Sequence, residues 1–242
     1  MGINSNTWST IRLVLILGLA GFLYAFSSLR NGRRSLQKTE VVFVGESNSF
    51  MRQETVNKLL IENKSDLRSI TKEQLNLDKL ESSVNKNPMV EKSEVYVSVD
   101  GVLRAEVVQR TPVARVMVGE TSYYLDKNGK QMPLSNHYTA RVPLLTGSIT
   151  DEVMPKLTAV MAMMQKDSFL KKNIISVRVL NDKSLEMASR NHPFVIEFGQ
   201  LVHPERKFLN YKAFFQKAVK DSTLEKYKRI NLRFIHQVVC TR

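Results

Sequence analysis

Leu13 to Leu29, LVLILGLAGFLYAFSSL, runs without a single charged side chain. In hydrocarbon every backbone polar group must be satisfied inside its own segment, so a run like this forms a helix or is removed. Its length is at the short end for a span. Trp8 and Tyr24 suit the two interfaces, and Arg12 can snorkel from the near end. The pattern predicts a transmembrane helix over 10–29, a short tail at 1–9 and a basic linker at 30–40. A cleaved signal peptide is the rival, since Ala25 and Ser27 are small residues two apart, yet only Arg12 stands where a basic n-region belongs. Arg30, Arg33, Arg34 and Lys38 follow the helix. The positive-inside rule alone puts the following chain in the cytoplasm, although large domains translocate largely regardless of charge.

After the linker, VVFVG (Val41 to Gly45) reads as a short buried strand. Val56, Leu59, Leu60 and Asn63 fall on one helical face, and Leu77, Leu80 and Val84 mark a second helix that Asn87-Pro88 stops. Val95, Val97 and Val99 alternate with polar residues, as do Leu103, Ala105 and Val107. A two-residue turn between these runs would set valines against charges. A three-residue loop, Val99-Asp100-Gly101, pairs Val97 with Leu103 and puts Gly101 at the left-handed position of a type I turn with a G1 bulge. The order is β-α-α-β-β, with two helices on one face of a three-stranded sheet.

The next stretch, EVVQRTPVARV, has strand character interrupted by Pro112, which has no N–H for a ladder. Arg110 and Pro112 are read as the seam between a domain over 41–111 and another over 112–242, rigidly coupled; a proline bulge inside one sheet is the alternative. Beyond it come strands at Val113–Val118 and Ser122–Leu125, a turn at Asp126-Lys127-Asn128-Gly129 and a short strand in Arg141–Thr146. A helix with the stripe Val153, Leu157, Val160, Met161 and Met164 is capped by Thr150 or Ser148, and three strands start near Ile174, Leu185 and Phe194. A helix opening at Pro204 has Phe208, Leu209, Tyr211, Phe215 and Val219 on its apolar side, and Arg206, Lys207, Lys212, Lys217 and Lys220 on its basic side. INLRFIHQVV, Ile230 to Val239, reads as one final strand. The fold class is α+β, with a mostly antiparallel second domain flanked by helices.

The net charge is +13. It favours anionic phospholipid or acidic partners; no helix-turn-helix, zinc-finger or RNP pattern supports nucleic acid. The four histidines are scattered, with no HExxH, P-loop, G-x-G-x-x-G or G-x-S-x-G, so the sequence offers no catalytic, cofactor, metal or small-molecule site. The single cysteine, Cys240, excludes an intrachain disulfide and heads no prenylation box.

LDKLESSVNKNPMVEKSEVYVSVDGVLRAEVVQRTPVARV resembles the POTRA domain of the bacterial cell-division FtsQ (DivIB) family. YYLDKNGKQMPLS, ARVPLLTG and the tail YKRINLRFIHQVVCTR are similar to the opening and close of that family's β domain. The resemblance implies a single-pass type II protein of the inner membrane, with POTRA and β domains in the periplasm or its equivalent. It implies a non-enzymatic scaffold at the division septum, with the membrane proteins FtsB and FtsL as partners. The family's partner surface takes in the last strand and a nearby helix, so Arg233 and Ile235, with Lys212 or Lys217, are the expected contacts. A POTRA adapter for envelope transport or assembly, and an anchored enzyme whose site only the fold assembles, are the alternatives.

Overall fold

The computed structural model describes residues 5–32, 36–45, 50–61 and 75–242. Asn63 of the helical stripe, and Arg33 and Arg34 of the basic flank, lie outside them.

Helix α1 spans Ser5–Gly32, and its stretch Trp8–Arg30 is 23 residues of high hydropathy with none of it buried inside the protein. At ~1.5 Å per residue this reaches ~35 Å, above the ~30 Å of a bilayer's hydrocarbon core. Leu15, Leu17 and Phe22 are each about two-thirds exposed. Outside a membrane that exposure has no compensation.

The first compact unit after α1 is built from β1 (Lys38–Phe43), α2 (Gln53–Ile61), α3 (Leu77–Asn85), β2 (Val90–Val97) and β3 (Val102–Gln109). The sheet order is β1-β3-β2, and β1 runs parallel to β3 with Val41 facing Ala105 and Phe43 facing Val107. Asn76 caps α3, its Oδ1 accepting from Lys79 N–H. Val56, Leu60 and Val84 from the helices meet Val41, Val95, Leu103 and Ala105 from the sheet in one core. Ser98 N–H donates to Val102 O and Gly101 N–H to Ser98 O, with Gly101 at φ +83. The loop is therefore the three-residue one that the alternation demands.

The second unit holds a nine-stranded sheet ordered β12-β11-β10-β9-β8-β7-β4-β5-β6. Its elements are β4 (Pro112–Val118), β5 (Thr121–Asp126), β6 (Gln131–Met132), β7 (Leu144–Gly147), α4 (Met154–Lys166), α5 (Ser168–Asn173), β8 (Ile174–Val179), β9 (Leu185–Ser189), β10 (Val195–Gly199), α6 (Pro204–Lys220), β11 (Arg229–Asn231) and β12 (Val239–Thr241). Among the described residues five of the eight strand pairs are antiparallel, and β4–β7, β7–β8 and β10–β11 are parallel. Facing residues form one apolar row across the sheet: Val116, Leu145, Val177, Met187, Ile196, Ile230 and finally half-buried Cys240. Leu157, Met161 and Met164 of α4 and Phe208 and Tyr211 of α6 pack in the same core. Burial pushes the Tyr211 hydroxyl's pKa well up, and that hydroxyl donates to Asn173 Oδ1 at 2.5 Å.

Three expectations are corrected. Neither Thr150 nor Ser148 caps α4 with its side chain: Val153 holds the N-cap position, and Thr150 accepts Met154 N–H through its carbonyl. On α6 the core takes Lys207, Phe208, Tyr211 and Ala218, while Leu209 and Val219 are more than half exposed. Ile230 to Val239 is not one strand. Leu232 N–H donates to Glu197 O, and Asn231 Oδ1 accepts Arg233 N–H, which turns the chain back after three ladder residues. The return forms β12, antiparallel to β11, with Ile230 facing Cys240.

Candidate partner-binding edge

One border of the large sheet is made by β10, β11 and β12, with α6 connecting the first two. A parallel pair needs a crossover, and α6 supplies it. His203, at φ +48, leads into the helix, with Pro204 in its first turn where the missing N–H costs nothing. β10 bulges between Glu197 and Gly199. Lys207 reaches into this irregular stretch and donates to Phe198 O at 2.8 Å and Gln200 O at 2.7 Å, its ammonium 4.7 Å from the Phe198 ring centroid. The side chain is almost wholly buried, and burial lowers its pKa. Its basic neighbours Arg206 and Lys212 suggest a solvated face; only the bulge creates a need for the donor.

On the solvent side of the same strands, Glu186 and Glu197 face each other in register. Like charges directly opposite repel, so counterions must intervene. Arg229 Nη1 lies 2.9 Å from Glu197 and its Nη2 3.8 Å from Glu186, while Arg178 pairs with Glu186. Asn231 Nδ2 donates to Glu197 Oε2 at 3.1 Å. The network ties β8 to β11 and leaves β12 as the outermost strand.

Of the expected contact residues, Arg233 and Ile235 lie in the turn between β11 and β12. Arg233 is half exposed, its Nε 3.9 Å from Glu197 Oε2, and its side chain covers Gly199, where a Cβ would fall 2.7 Å from Arg233 Cγ. Ile235 is partly buried, and its carbonyl accepts from Asn210 Nδ2 of α6 at 2.7 Å. The two residues share the wall of an open cavity of about 380 Å³ with Asp182, Ser184, Gly199 and Lys207. The Ser184 hydroxyl, then the Ser184 N–H, hold the Asp182 carboxyl below its ordinary range, with Arg233 adding to the effect. Lys217 is exposed on α6. Lys212 is tied to Asp167, the N-cap of α5. Burial works against the Asp167 charge, but the Lys212 ammonium and the N–H groups of Leu170 and Phe169 outweigh it and lower that pKa.

At the other expected position, Arg110 Nη1 meets Asp126 Oδ2 at 2.7 Å in a buried pair. Asp126 Oδ1 accepts from Asn128 and Lys130 N–H, so one carboxylate builds the turn after β5 and receives the arginine. Pro112 opens β4, with two residues, Arg110 and Thr111, between it and the end of β3 in the other sheet. No group of three or more His, Cys, Asp or Glu that could hold a metal occurs among the described residues.

Residues 111–241 match the family described as FtsQ/DivIB, C-terminal related, and residues 38–108 match a POTRA-like domain. The chain belongs to the FtsQ/DivIB family. FtsQ/DivIB proteins are non-enzymatic and act in cell division. Among the described residues α1 is the one helix long and apolar enough to cross a membrane. No curated protein matches the chain.

Proposed function

We propose that this protein is a scaffold of the divisome that recruits division proteins by adding a partner segment to β12. Its α1 anchors it in the inner membrane, and the regions 41–111 and 112–242 act as POTRA and β modules outside the cytoplasm at the septum. Arg110 and Pro112 form the seam between them. FtsB and FtsL are the partners the family suggests.

The observation that supports this most is the sheet order. β12 is a three-residue strand at the border, paired with β11 on one side and with nothing on the other among the described residues. Such an edge is a template for another strand, with main-chain bonds giving affinity and alternate side chains specificity. Arg233, Ile235 and Lys217 provide contacts beside it; Lys212 joins them only by leaving Asp167.

In an antiparallel ladder, alternate N–H groups face away from the paired strand. Proline at Val239 or at Cys240 therefore removes a donor meant for the guest in one of the two variants. The full-length protein and its FtsB and FtsL counterparts are co-purified for each. Recovery of the complex at wild-type yield from both variants sinks strand addition. Arg233→Ala and Ile235→Ala weaken the complex while the protein keeps its fold, as a cooperative melting transition shows. Depletion in cells produces filaments, and cysteine labelling of the β module in intact cells reports its side of the membrane.

A further inference from the structure

The open cavity of about 380 Å³ brings two cations and one carboxylate to its wall: Lys207, Arg233 and Asp182. An ammonium has three N–H donors. Two of those on Lys207 go to Phe198 O and Gln200 O, and among the described residues the third has no acceptor. No carboxylate oxygen of the described residues comes within 4.0 Å of this nitrogen, and burial, with no neighbouring charge, lowers its pKa. A charge held this way gains from a counterion that comes to it. The Arg233 guanidinium is similarly unused. Its Nε lies 3.9 Å from Glu197 Oε2, beyond hydrogen-bond reach, and it donates to no group among the described residues. Gly199, at φ +75, lets the arginine stem lie against the end of β10, where a Cβ would meet Arg233 Cγ at 2.7 Å. Asp182 has its Oδ1 fixed by the Ser184 hydroxyl at 2.6 Å and the Ser184 N–H at 3.0 Å, and its carbonyl accepts from Gln200 Nε2 at 2.8 Å. These bonds keep the carboxyl ionised at neutral pH, and among the described residues its Oδ2 takes no hydrogen bond.

We propose that this cavity binds a small zwitterionic amino acid, its carboxylate on Lys207 and Arg233 and its ammonium on Asp182. The planar guanidinium and the spare lysine N–H match the two oxygens of a carboxylate. A plain anion entering here meets the Asp182 charge, and a plain cation meets Lys207 and Arg233. A molecule that carries both signs satisfies each wall with its opposite. Val202 and Ile235 line the rest and leave an apolar surface for a small side chain. The volume is at the lower end of the ~300–1,000 Å³ of ligand cavities, which suits a single amino acid. Every wall residue comes from the β8–β9 loop, the end of β10, the start of α6 or the turn after β11. The site therefore needs nothing from the free edge of β12, and it stands or falls apart from strand addition.

Full-length protein in detergent, carrying carbon-13 in its isoleucine methyl groups, reports on the cavity through Ile235, whose signal the variant Ile235→Val identifies. Glycine, the smallest molecule with both groups, is titrated to about 50 mM against matched sodium chloride. Acetate, glycinamide and inorganic phosphate are the comparisons. The Ile235 signal shifts saturably with glycine, and acetate and glycinamide, each lacking one group, bind about tenfold more weakly. Arg233→Gln weakens glycine about tenfold while the signals of buried Ile174, Ile196 and Ile230 stay in place. Asp182→Asn erases the preference for glycine over acetate. Absence of a saturable shift with glycine, or glycine binding that Arg233→Gln leaves intact, overturns the site. Acetate or phosphate binding as tightly as glycine, or a preference that survives Asp182→Asn, overturns the zwitterion. An Ile235 signal that moves with the FtsB–FtsL counterpart and never with glycine assigns the cavity to the partner and overturns the proposal too.

Discussion

Replacing Lys207 with methionine removes one buried ammonium while keeping the apolar stem. Phe198 O, at the bulge of β10, loses the donor at 2.8 Å; Gln200 O loses one at 2.7 Å but still accepts Val202 N–H. An orphaned buried carbonyl costs about 1–3 kcal/mol, and the lost ammonium–ring contact adds about 1 kcal/mol. Against this, the variant no longer buries a charge without a carboxylate beside it. The net expectation is a loss of about 2–3 kcal/mol, or about 10 °C in melting temperature for a unit of this size. A pH signature separates the terms. The folded-state pKa of Lys207 is lowered by burial, below the ordinary 10.5. The unfolded chain then holds more protons than the folded one between the two values. This lysine's contribution to stability is thus complete above 10.5 and is lost as pH falls through the folded pKa. The neutral amine keeps both donors, so the difference between wild type and Lys207→Met widens as pH rises through that window. Thermal melts of the full-length protein in detergent from pH 7 to 10.5 measure both quantities. A variant as stable as wild type at every pH would refute the claim that Lys207 holds the bulge.

Gly147→Ala unfolds the β unit or costs more than about 3 kcal/mol, because φ is +97 and the new Cβ falls 2.0 Å from Val179 O; expression and melting temperature report it. Asp167→Ala loses the α5 cap and the Lys212 pair, about 1–2 kcal/mol by denaturant titration at pH 7. Since the folded pKa of Asp167 is lowered, its contribution is present above about 3.8 and fades as pH falls through the folded value, where wild type and variant converge. Leu17→Arg places a charge mid-helix in α1 at a cost of about 2.5–3.5 kcal/mol, and fractionation shows protein moving out of the membrane pellet.

What the sequence made legible was local. The alternation through Val95–Val107 with Gly101 sets a hairpin register, and the i, i+3, i+7 spacing of Leu77, Leu80 and Val84 sets a helix face. Parallel pairing of β4 with β7 and of β7 with β8 joins segments far apart in the chain, and no local pattern encodes it. Lys207 reads as surface because its type and neighbours are basic; its burial depends on a bulge in β10, the strand just before its helix. The alternation Ile230, Leu232, Phe234 reads as one strand, yet Phe234 is half exposed. There the Asn231 side chain and the Glu197 carbonyl redirect a backbone whose apolar pattern says continue. The candidate contacts Arg233 and Ile235 lie near the border on a turn rather than on a ladder.

The crossover through α6 has a temporal consequence. β10 and β11 cannot zip from a tight turn, so the outer hairpin must wait for the helix to settle on the sheet. The border strand is then among the last pieces assembled and, with only three residues of pairing, among the first to fray. A copy in which this border has not formed, or has frayed, presents no ladder edge for another strand to pair with.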